Sequence, residues 1–499
     1  MVMMGLLWTF YSPLFANNLS VSNITISGQD VIKHSSLVGF DISWENSWRN
    51  DLSGSGYQAP YNYDAAWVFI KFRVNDGPWQ HACIDTAGHV PPLGSAIEVG
   101  LVDPYQPFDP SSNPGVGVFI CRDSNGSGLF TLTDVRICWD YGANGVSDSD
   151  VVDIRVFAVE QVFVPQGNFY LGTGGDEPSA FYTYPDLTTP FEVTGEEEVT
   201  VGQQDGNLFY EPSYEGGDQA GPIPAAFPKG HKAFYCQKYE ISQQQYVDFL
   251  NTLTQTQATM RKYSGSGYRY AITGSTVGQY STSRPYVACS HLNWADITAY
   301  FDWSGLRPLT EMEYEKACRG TLPPVPNEFA WGTDTVTTGT YTLSDNGDIS
   351  ENISSNYSTT DGNAAYSLTT PINGPINGPL RVGIFAANPM NTGRITAGAT
   401  YYGVMEMSGN LLEHFVSAGH PTGRAFTALH GDGILSSIGY SDVTGWPGLT
   451  SAGAGFRGSY WSYVSPYMRV SDRYGAAGID PIRFPTDGGR GGRTAPSND

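Results

Sequence analysis

The sequence predicts a multidomain protein, with an N-terminal all-β sandwich of immunoglobulin-like type at residues 17–160 and an α+β region with large loops at residues 161–499. Three observations support this prediction. The chain has 499 residues, too many for one ordinary hydrophobic core and enough for about two to four domains. Strand-like segments fill its first part, and helical periodicity begins only after residue 161.

Seven short apolar segments separated by turn-forming residues indicate the strands of the sandwich. They are LSVSNITI, SLVGFDISW, AAWVFIKFRV, AIEVGLV, GVGVFICR, GLFTLTDVRICW and VVDIRVFAV. In the third segment, Val68 and Ile70 alternate with Phe69, Lys71 and Arg73. This alternation predicts an apolar face toward the core and a polar face opposite it, as in a half-buried antiparallel sheet.

Three amphipathic helices are predicted after residue 161. In YEISQQQYVDFLNTL, Ser242 is expected to cap the helix together with Gln245. In LNWADITAYFDWSG, Gly305 is a natural helix stop, and in LTEMEYEKACRG a capping box is expected between Thr310 and Glu313. The chain beyond the third helix is rich in Gly, Thr, Asn and Ser, which predicts large loops.

The composition is that of a globular protein and argues against two classes of partner. Apolar residues make up 40% of the chain and charged residues 15%, so large cores can form. The 49 acidic and 26 basic residues give a net charge of −23, which opposes binding to nucleic acid or to an anionic membrane surface. An excess of carboxylates suits a divalent cation such as calcium.

The N-terminal run MVMMGLLWTFYSPLFANN predicts a signal peptide at residues 1–16, ending at the small residue Ala16. No Lys or Arg precedes Lys33, so the positively charged start of a signal peptide is missing and a buried strand is the alternative. No other stretch approaches ~18 uninterrupted apolar residues, so no membrane span is expected. The protein is therefore expected to be secreted or to lie at an extracellular surface.

Cysteines and glycosylation sequons fit export but do not establish it. The chain has no CxxC pair, and its six cysteines leave the redox state open. The cysteines are Cys83, Cys121, Cys138, Cys236, Cys289 and Cys318. Five sequons are possible glycan acceptors. They begin at Asn18, Asn23, Asn125, Asn352 and Asn356.

Six ordered motifs in about the last two thirds of the chain resemble the formylglycine-generating enzyme (sulfatase-modifying factor) family. They are FVPQGNFYLGTGGDEP, FYCQKYEISQQQYVDFLN, HLNWADITAYFDWSGLRPLTEMEYEKACRG, FAWG, YGVMEMSGNLLEH, and RGSYW with MRVSDR. The resemblance implies an α+β core of the C-type-lectin-like kind, with little regular structure. It does not extend to the first 160 residues.

The resemblance also implies where catalytic cysteines would lie. Catalytic members of the family are expected to hold Cu(I) with two thiolates shortly after the Gly-Ser pair. Ser462 stands at the first position, and the second falls near Pro466 or Tyr467. A hydroxyl or an aromatic ring binds a soft monovalent metal far more weakly than a thiolate does, so neither copper nor copper-dependent catalysis is expected.

An iron site is not expected either. The iron-dependent branch of the family needs converging histidines, and His414, His420 and His430 lie near Asp432 without a regular ligand spacing. The sequence also lacks the G-x-S-x-G, H-E-x-x-H and Walker motifs.

Family residues that look structural are retained in FRGSYWSYVSPYMRVSDR. They are Arg457, Ser459, Trp461, Arg469 and Arg473. Arginine side chains of this kind reach across loops to carbonyls and carboxylates, and tryptophan fills a core. The segment is therefore expected to keep the scaffold without the nucleophiles.

The resemblance implies one calcium site in YGVMEMSGNLLEH. Its ligands would be the carboxylates of Glu406 and Glu413 and the carbonyls of Gly409 and Leu411, which are hard oxygen donors. The alternative is that Glu413 pairs with a nearby arginine. A second calcium site of the family, near Asn356, lacks a clear acidic partner and is not expected.

These observations favour a non-catalytic extracellular protein, such as a subunit of a filament or surface layer. The segment Leu19 to Ile26 would pair with a neighbouring subunit, although an intramolecular first strand is the alternative. A second hypothesis is an oxidase-like enzyme with a centre built from His414, Ser462 and Tyr467. A third is an extracellular module that binds carbohydrate or protein. Fold resemblance alone does not decide among them.

Overall fold

The computed structural model describes residues 18–50 and 59–496, so the expected signal peptide at residues 1–16 lies outside the described residues. The N-terminal part is β-rich. Its strands are β1 (Ser20–Asp30), β2 (Ser35–Asn50), β3 (Asn62–Val74), β4 (Gln80–His81), β5 (Ser95–Leu101), β6 (Gly115–Arg122), β7 (Gly126–Asp140) and β8 (Val152–Val164).

The N-terminal strands are antiparallel and pack in two layers. β2 pairs with β1 and β7, while β3 pairs with β6 and β8 and meets β2 only near Asn50. The core between the layers contains Trp44 of β2 and Trp139 of β7 on one side, and Val68 and Ile70 of β3 on the other. The predicted β-rich start of the chain is therefore confirmed.

The prediction that one side of β3 faces solvent is wrong. Phe69 is fully buried, and Lys71 is 2% exposed. Trp67 and Phe69 belong to a second core with Tyr300 and Trp303 from the C-terminal part of the chain. Alternation shows which side chains share a face, but not what covers the second face. Because Trp67 and Phe69 pack in this second core and Val68 and Ile70 pack in the first, β3 is buried on both sides.

One sheet joins the two parts of the chain. β8 pairs with β3, and its last residues also pair with a later strand, Phe234–Gln237, which in turn pairs with Gly492–Thr494 near the C-terminus. The boundary predicted at residue 160 thus falls inside β8. That the two parts are separate domains remains a prediction.

The C-terminal part has short strands, few helices and long connecting loops. The strands are β9 (Phe169–Leu171), β10 (Tyr182–Thr183), β11 (Phe191–Val193), β12 (Leu208–Phe209), β13 (Phe234–Gln237), β14 (Ile272–Thr273), β15 (Ser281–Thr282), β16 (Thr342–Ser344), β17 (Asn352–Ser355), β18 (Leu412–Val416), β19 (Ala454–Arg457), β20 (Asp487–Gly488) and β21 (Gly492–Thr494). β18 lies between β19 and β20.

All three predicted helices are present. The helices are α1 (Gln243–Leu250), α2 (Gln255–Arg261), α3 (Trp294–Trp303), α4 (Glu311–Arg319) and α5 (Pro421–Arg424). The capping boxes predicted at Ser242 and Thr310 both form. Sequence reasoning missed α2, which also has a capping box, at Thr254, because its sequence QTQATMR has almost no apolar periodicity. No helix within residues 18–50 and 59–496 has the length and apolar composition needed to cross a bilayer.

Two glutamates one turn apart on α4 bind Arg457, the last residue of β19, and Arg473 in the segment that follows. Glu311 pairs with Arg473 at 2.8 Å, and Glu315 pairs with Arg457 at 2.9 Å. Arg319 of the same helix also pairs with Glu315, at 3.3 Å. All five residues are at most 2% exposed. Arg457 and Arg473 thus have the structural role that the sequence predicted, and they hold the segment against α4.

Replacing Glu311 by Gln is expected to lower the free energy of unfolding by about 3–5 kcal/mol, because Arg473 would stay buried without its carboxylate partner. Urea unfolding measures the change. Asp205→Asn, at an exposed position, is the matched control and should change stability by less than ~0.5 kcal/mol. Equal stability of Glu311→Gln and the parent protein would contradict the role of the ion pairs.

Candidate functional site

A tight turn after β19 leads into the candidate site. Gly458 has φ +86° and Ser459 has φ +60°, so two consecutive residues adopt the left-handed conformation. A Cβ at Gly458 would lie 3.0 Å from the carbonyl oxygen of Met407, which favours glycine there. The conformation of Ser459 is strained for a residue with a side chain, and such strain is common at functional sites.

The residues that follow this turn line a cavity of about 210 Å³. Four tyrosines contribute to its wall, and the ring of each one contacts the ring of the next along the chain. The ring centroids are 5.2 Å apart for Tyr460 and Tyr463, 4.7 Å for Tyr463 and Tyr467, and 5.0 Å for Tyr467 and Tyr474. The wall therefore offers aromatic surface together with phenolic hydroxyl groups.

Two polar side chains of the cavity wall have atoms without a hydrogen-bond partner among the described residues. Asp472 accepts a hydrogen bond at Oδ1 from the backbone N–H of Tyr474, at 3.1 Å, whereas its Oδ2 accepts none. Ser459 Oγ is likewise unpartnered. Asp472 is 5% exposed and Ser459 is 3% exposed. A buried polar group without a partner costs ~1–3 kcal/mol, so this pair points to a binding site.

Burial raises the pKa of Asp472 to about 7, and the N–H of Tyr474 and the charge of Arg457 act in the opposite direction. Arg457 also lines the cavity. Its guanidinium is held by Glu311 and Glu315 and by the backbone carbonyl of Asp472, at 2.6 Å. Its positive charge is thus matched by carboxylates behind the cavity wall.

The three residues of the oxidase-like centre considered from the sequence do not all line the cavity, and that centre remains a hypothesis. Tyr467 lines the cavity, whereas Ser462 and His414 do not. His414 is buried on β18 against Phe456, with ring centroids 4.5 Å apart, and burial lowers its pKa to about 3. Pro466, near the second expected cysteine position, is exposed.

All six cysteines of the chain lie within the described residues, and each is a free, buried thiol. None of them lines the cavity. Burial raises the pKa of Cys121 to about 11 and that of Cys83 and Cys236 to about 12, and it raises the pKa of the other three as well. None is therefore a thiolate at neutral pH, the form that binds Cu(I).

The histidines that were compared with an iron site are held apart by different partners. His420 caps α5 by accepting from the N–H of Thr422 at 3.1 Å. The Nε2 of His430 accepts from the N–H of Thr494 at 2.9 Å. Burial lowers the pKa of His430, and the charge of Arg493 contributes. Each of these two histidines therefore has a backbone N–H as its own hydrogen-bond donor.

Asp432 lies in a group that sequence reasoning did not find. One carboxylate oxygen each from Asp302, Asp432 and Asp442 lies within 4.8 Å of the others. Burial raises the pKa of Asp302 to about 8, and the charge of Asp432 adds to this effect. Acidic side chains often meet in this way without a bound ion, so the group by itself identifies no cofactor.

The predicted calcium loop contains an ion pair. Glu413 accepts two hydrogen bonds from Arg490, at 2.6 and 2.7 Å, so the arginine partner that the sequence left as an alternative is present. Glu406 accepts at Oε1 from the N–H of Gly383 at 2.9 Å, and its Oε2 has no partner in the described part of the chain. The N–H of Leu411 donates to Glu240 at 2.9 Å. Calcium binding thus remains a prediction, and Glu406 is its best-placed carboxylate.

Calcium is expected to raise the melting temperature through Glu406, because a ligand that binds only the folded state stabilises it by ~2.7 kcal/mol at a concentration of 100 Kd. Thermal unfolding with calcium, and after chelation, measures the effect. Glu406→Gln should lose the response to calcium, whereas Asp205→Asn should keep it. A melting temperature that chelation leaves unchanged would exclude the site.

The cavity itself was missed at the sequence level. The five aromatic residues of FRGSYWSYVSPYMRVSDR were visible, but nothing in their spacing distinguished core residues from cavity residues. Trp461 is 1% exposed, whereas Tyr463 and Tyr467 are partly exposed. The available signal was the number of tyrosines next to the expected cysteine positions.

The chain was compared with known proteins once this geometry was defined. Residues 153–477 match the model of the sulfatase-modifying factor enzyme 1-like domain. A formylglycine-generating enzyme of Streptomyces coelicolor is 45% identical over 58 residues, which are 12% of this chain and 18% of that enzyme. The aligned region thus spans less than a fifth of that relative's length. The family match begins inside β8 and ends just after the tyrosine-lined cavity, and it shows that the chain belongs to the sulfatase-modifying factor (FGE-sulfatase) family.

Proposed function

We propose that the protein is a non-catalytic, exported binding protein whose binding site is the tyrosine-lined cavity in the segment where the family resemblance would place the catalytic cysteines. The observation that carries this proposal is the wall of four tyrosines around two unpartnered polar atoms, Asp472 Oδ2 and Ser459 Oγ. Tyrosine provides a large and rather rigid contact area that also forms hydrogen bonds, and it is enriched at binding surfaces.

The size of the cavity favours a protein partner over a free oligosaccharide. Its volume of about 210 Å³ is below the range of ~300–1,000 Å³ that is typical of sites for drug-sized molecules. A cavity of this size suits one side chain projecting from a larger partner. Buried aromatic pockets that receive one anchoring residue supply much of the affinity of protein interfaces.

Selection of random nonapeptides on the immobilised protein tests this proposal. Selected peptides should bind at least about tenfold more weakly to Tyr463→Ala, because loss of a central aromatic contact costs more than ~1 kcal/mol. Tyr105→Ala is the matched control, since Tyr105 is 52% exposed and does not line this cavity. Isothermal titration calorimetry of individual peptides gives the affinities.

Two results would contradict the proposal. One is peptide affinity that Tyr463→Ala leaves unchanged. The other is enzymatic behaviour, namely close to one copper or iron per chain after dialysis together with oxygen consumption on thiol-bearing peptides. We expect neither metal, because no cysteine lines the cavity and Ser462 stands where the resemblance implies the first thiolate ligand.

Self-assembly is a second candidate function, and the position of β1 favours it. β1 pairs with β2 of its own chain and forms one end of the sheet, so its other edge is unpaired among the described residues. Ile24 is 40% exposed and Ile26 is 43% exposed. An exposed edge strand is able to pair with another chain and build a filament or surface layer. The N-terminal part would be immunoglobulin-like and the C-terminal part C-type-lectin-like in such an assembly.

Deleting residues 17–28 is expected to abolish polymers and leave the C-terminal part folded, because it removes most of the edge strand. Ile24→Lys should weaken assembly as well, since a charged residue on an edge strand opposes pairing. Val151→Lys is the control, because Val151 is 72% exposed and lies outside β1. Analytical ultracentrifugation measures the polymers. A wild-type protein that sediments only as a monomer at high concentration with calcium would contradict this candidate.

A further inference from the structure

The charges around the tyrosine-lined cavity indicate the chemistry of the group that it binds. The charged residues of the wall are Asp472, Glu215 and Arg457. Arg457 belongs to a buried cluster in which three arginines pair with three glutamates, so its charge is balanced within the cluster and Asp472 and Glu215 remain as the unpaired charges of the wall. The members of the cluster are Arg319, Arg457, Arg473, Glu311, Glu315 and Glu328. An anionic group would be repelled there, and a cationic group would be attracted.

The tyrosines favour a cation for a second reason. The face of an aromatic ring carries partial negative charge and attracts an ammonium or guanidinium group placed over it. The series of ring contacts continues beyond the cavity from Tyr474 to Tyr214, with centroids 5.3 Å apart, and Tyr214 precedes Glu215. Aromatic rings and carboxylates therefore lie side by side along the wall.

The unpartnered atoms also match a cationic donor. Asp472 Oδ2 accepts no hydrogen bond from the described residues. Among those residues, no cationic side chain lies within 4.0 Å of the carboxylate of Asp472 or of the carboxylate of Glu215. Ser459 Oγ is a further acceptor. A guanidinium offers five N–H donors and an ammonium offers three, and neither has an acceptor atom of its own. A sugar hydroxyl would form hydrogen bonds here but would gain nothing from the negative charge.

We propose that the cavity binds the guanidinium or ammonium group of an arginine or lysine side chain of a partner polypeptide, over the rings of Tyr463 and Tyr467 and against the carboxylate of Asp472. This inference rests on the proposed function and specifies its ligand. The small volume of the cavity suits the end of a single side chain.

The ionisation of Asp472 gives the binding a defined pH dependence. Burial raises its pKa to about 7; the N–H of Tyr474 and the charges of Arg457 and Arg469 lower it, and Glu177 raises it. Below pH 7 the carboxyl group is mostly protonated and attracts a cation weakly, and above pH 7 it is ionised. The affinity for a cation therefore increases as the pH rises through about 7 and then levels off.

Isothermal titration calorimetry with the blocked tripeptide acetyl-Gly-Arg-Gly-amide tests the proposal. The same tripeptide with citrulline is the neutral control of nearly equal shape. At pH 8 the arginine peptide should bind at least about tenfold more tightly than the citrulline peptide, and at pH 5.5 it should lose about tenfold or more of its affinity. Asp472→Asn should cause a similar loss at pH 8, and Asp205→Asn should cause none.

The outcomes separate this inference from the proposed function. Equal binding of the arginine and citrulline peptides, or unchanged affinity in Asp472→Asn, would overturn the cationic ligand. Selected nonapeptides that still depend on Tyr463 would then leave the binding function intact. The same titration is carried out with agmatine, a small molecule with a guanidinium group. If agmatine binds as tightly as the tripeptide, the assignment of the ligand to a polypeptide is overturned. The comparison with citrulline needs no variant, so it holds even if Asp472→Asn fails to fold.

Discussion

The ion pairs between α4 and the segment after β19 are the constraint on which the C-terminal part of the structure depends. Glu311 and Glu315 face the same side of α4 because they are four residues apart. Arg457 reaches them from the end of β19, and Arg473 reaches them from the loop segment that follows. Charges so deeply buried are tolerated only when paired, so the loop has few alternative positions.

Apart from Arg457, the residues that hold this segment against α4 differ from those that line the cavity. Within one short segment, Arg457 and Arg473 point to α4, whereas Tyr463 and Tyr467 line the cavity. The arginines fix where the tyrosines lie, and the glutamates of the same buried cluster balance their charge. The site can therefore differ between members of a family that share the fold, because most residues of the site are not those that hold the scaffold.

Local signals in the sequence predicted much of the fold and little of the site. The capping boxes at Ser242 and Thr310 depend on neighbouring residues, so the sequence was sufficient for them. The exposure of Lys71 was predicted wrongly, because its burial depends on residues that are more than two hundred positions away along the chain. The cavity around Asp472 depends on loops that meet only in the folded chain, and the partner of Glu413 is 77 residues distant. No sequence periodicity reports such contacts.

The central claim is that the family scaffold, held by its buried ion pairs, carries a cation-binding cavity in place of a catalytic centre. A crystal structure of the protein with acetyl-Gly-Arg-Gly-amide tests it most directly. The account predicts the guanidinium over Tyr463 and Tyr467, within hydrogen-bond distance of Asp472 Oδ2, and Arg457 still paired with Glu315. A metal ion bound in the cavity, or a peptide bound elsewhere with the cavity empty, would contradict it.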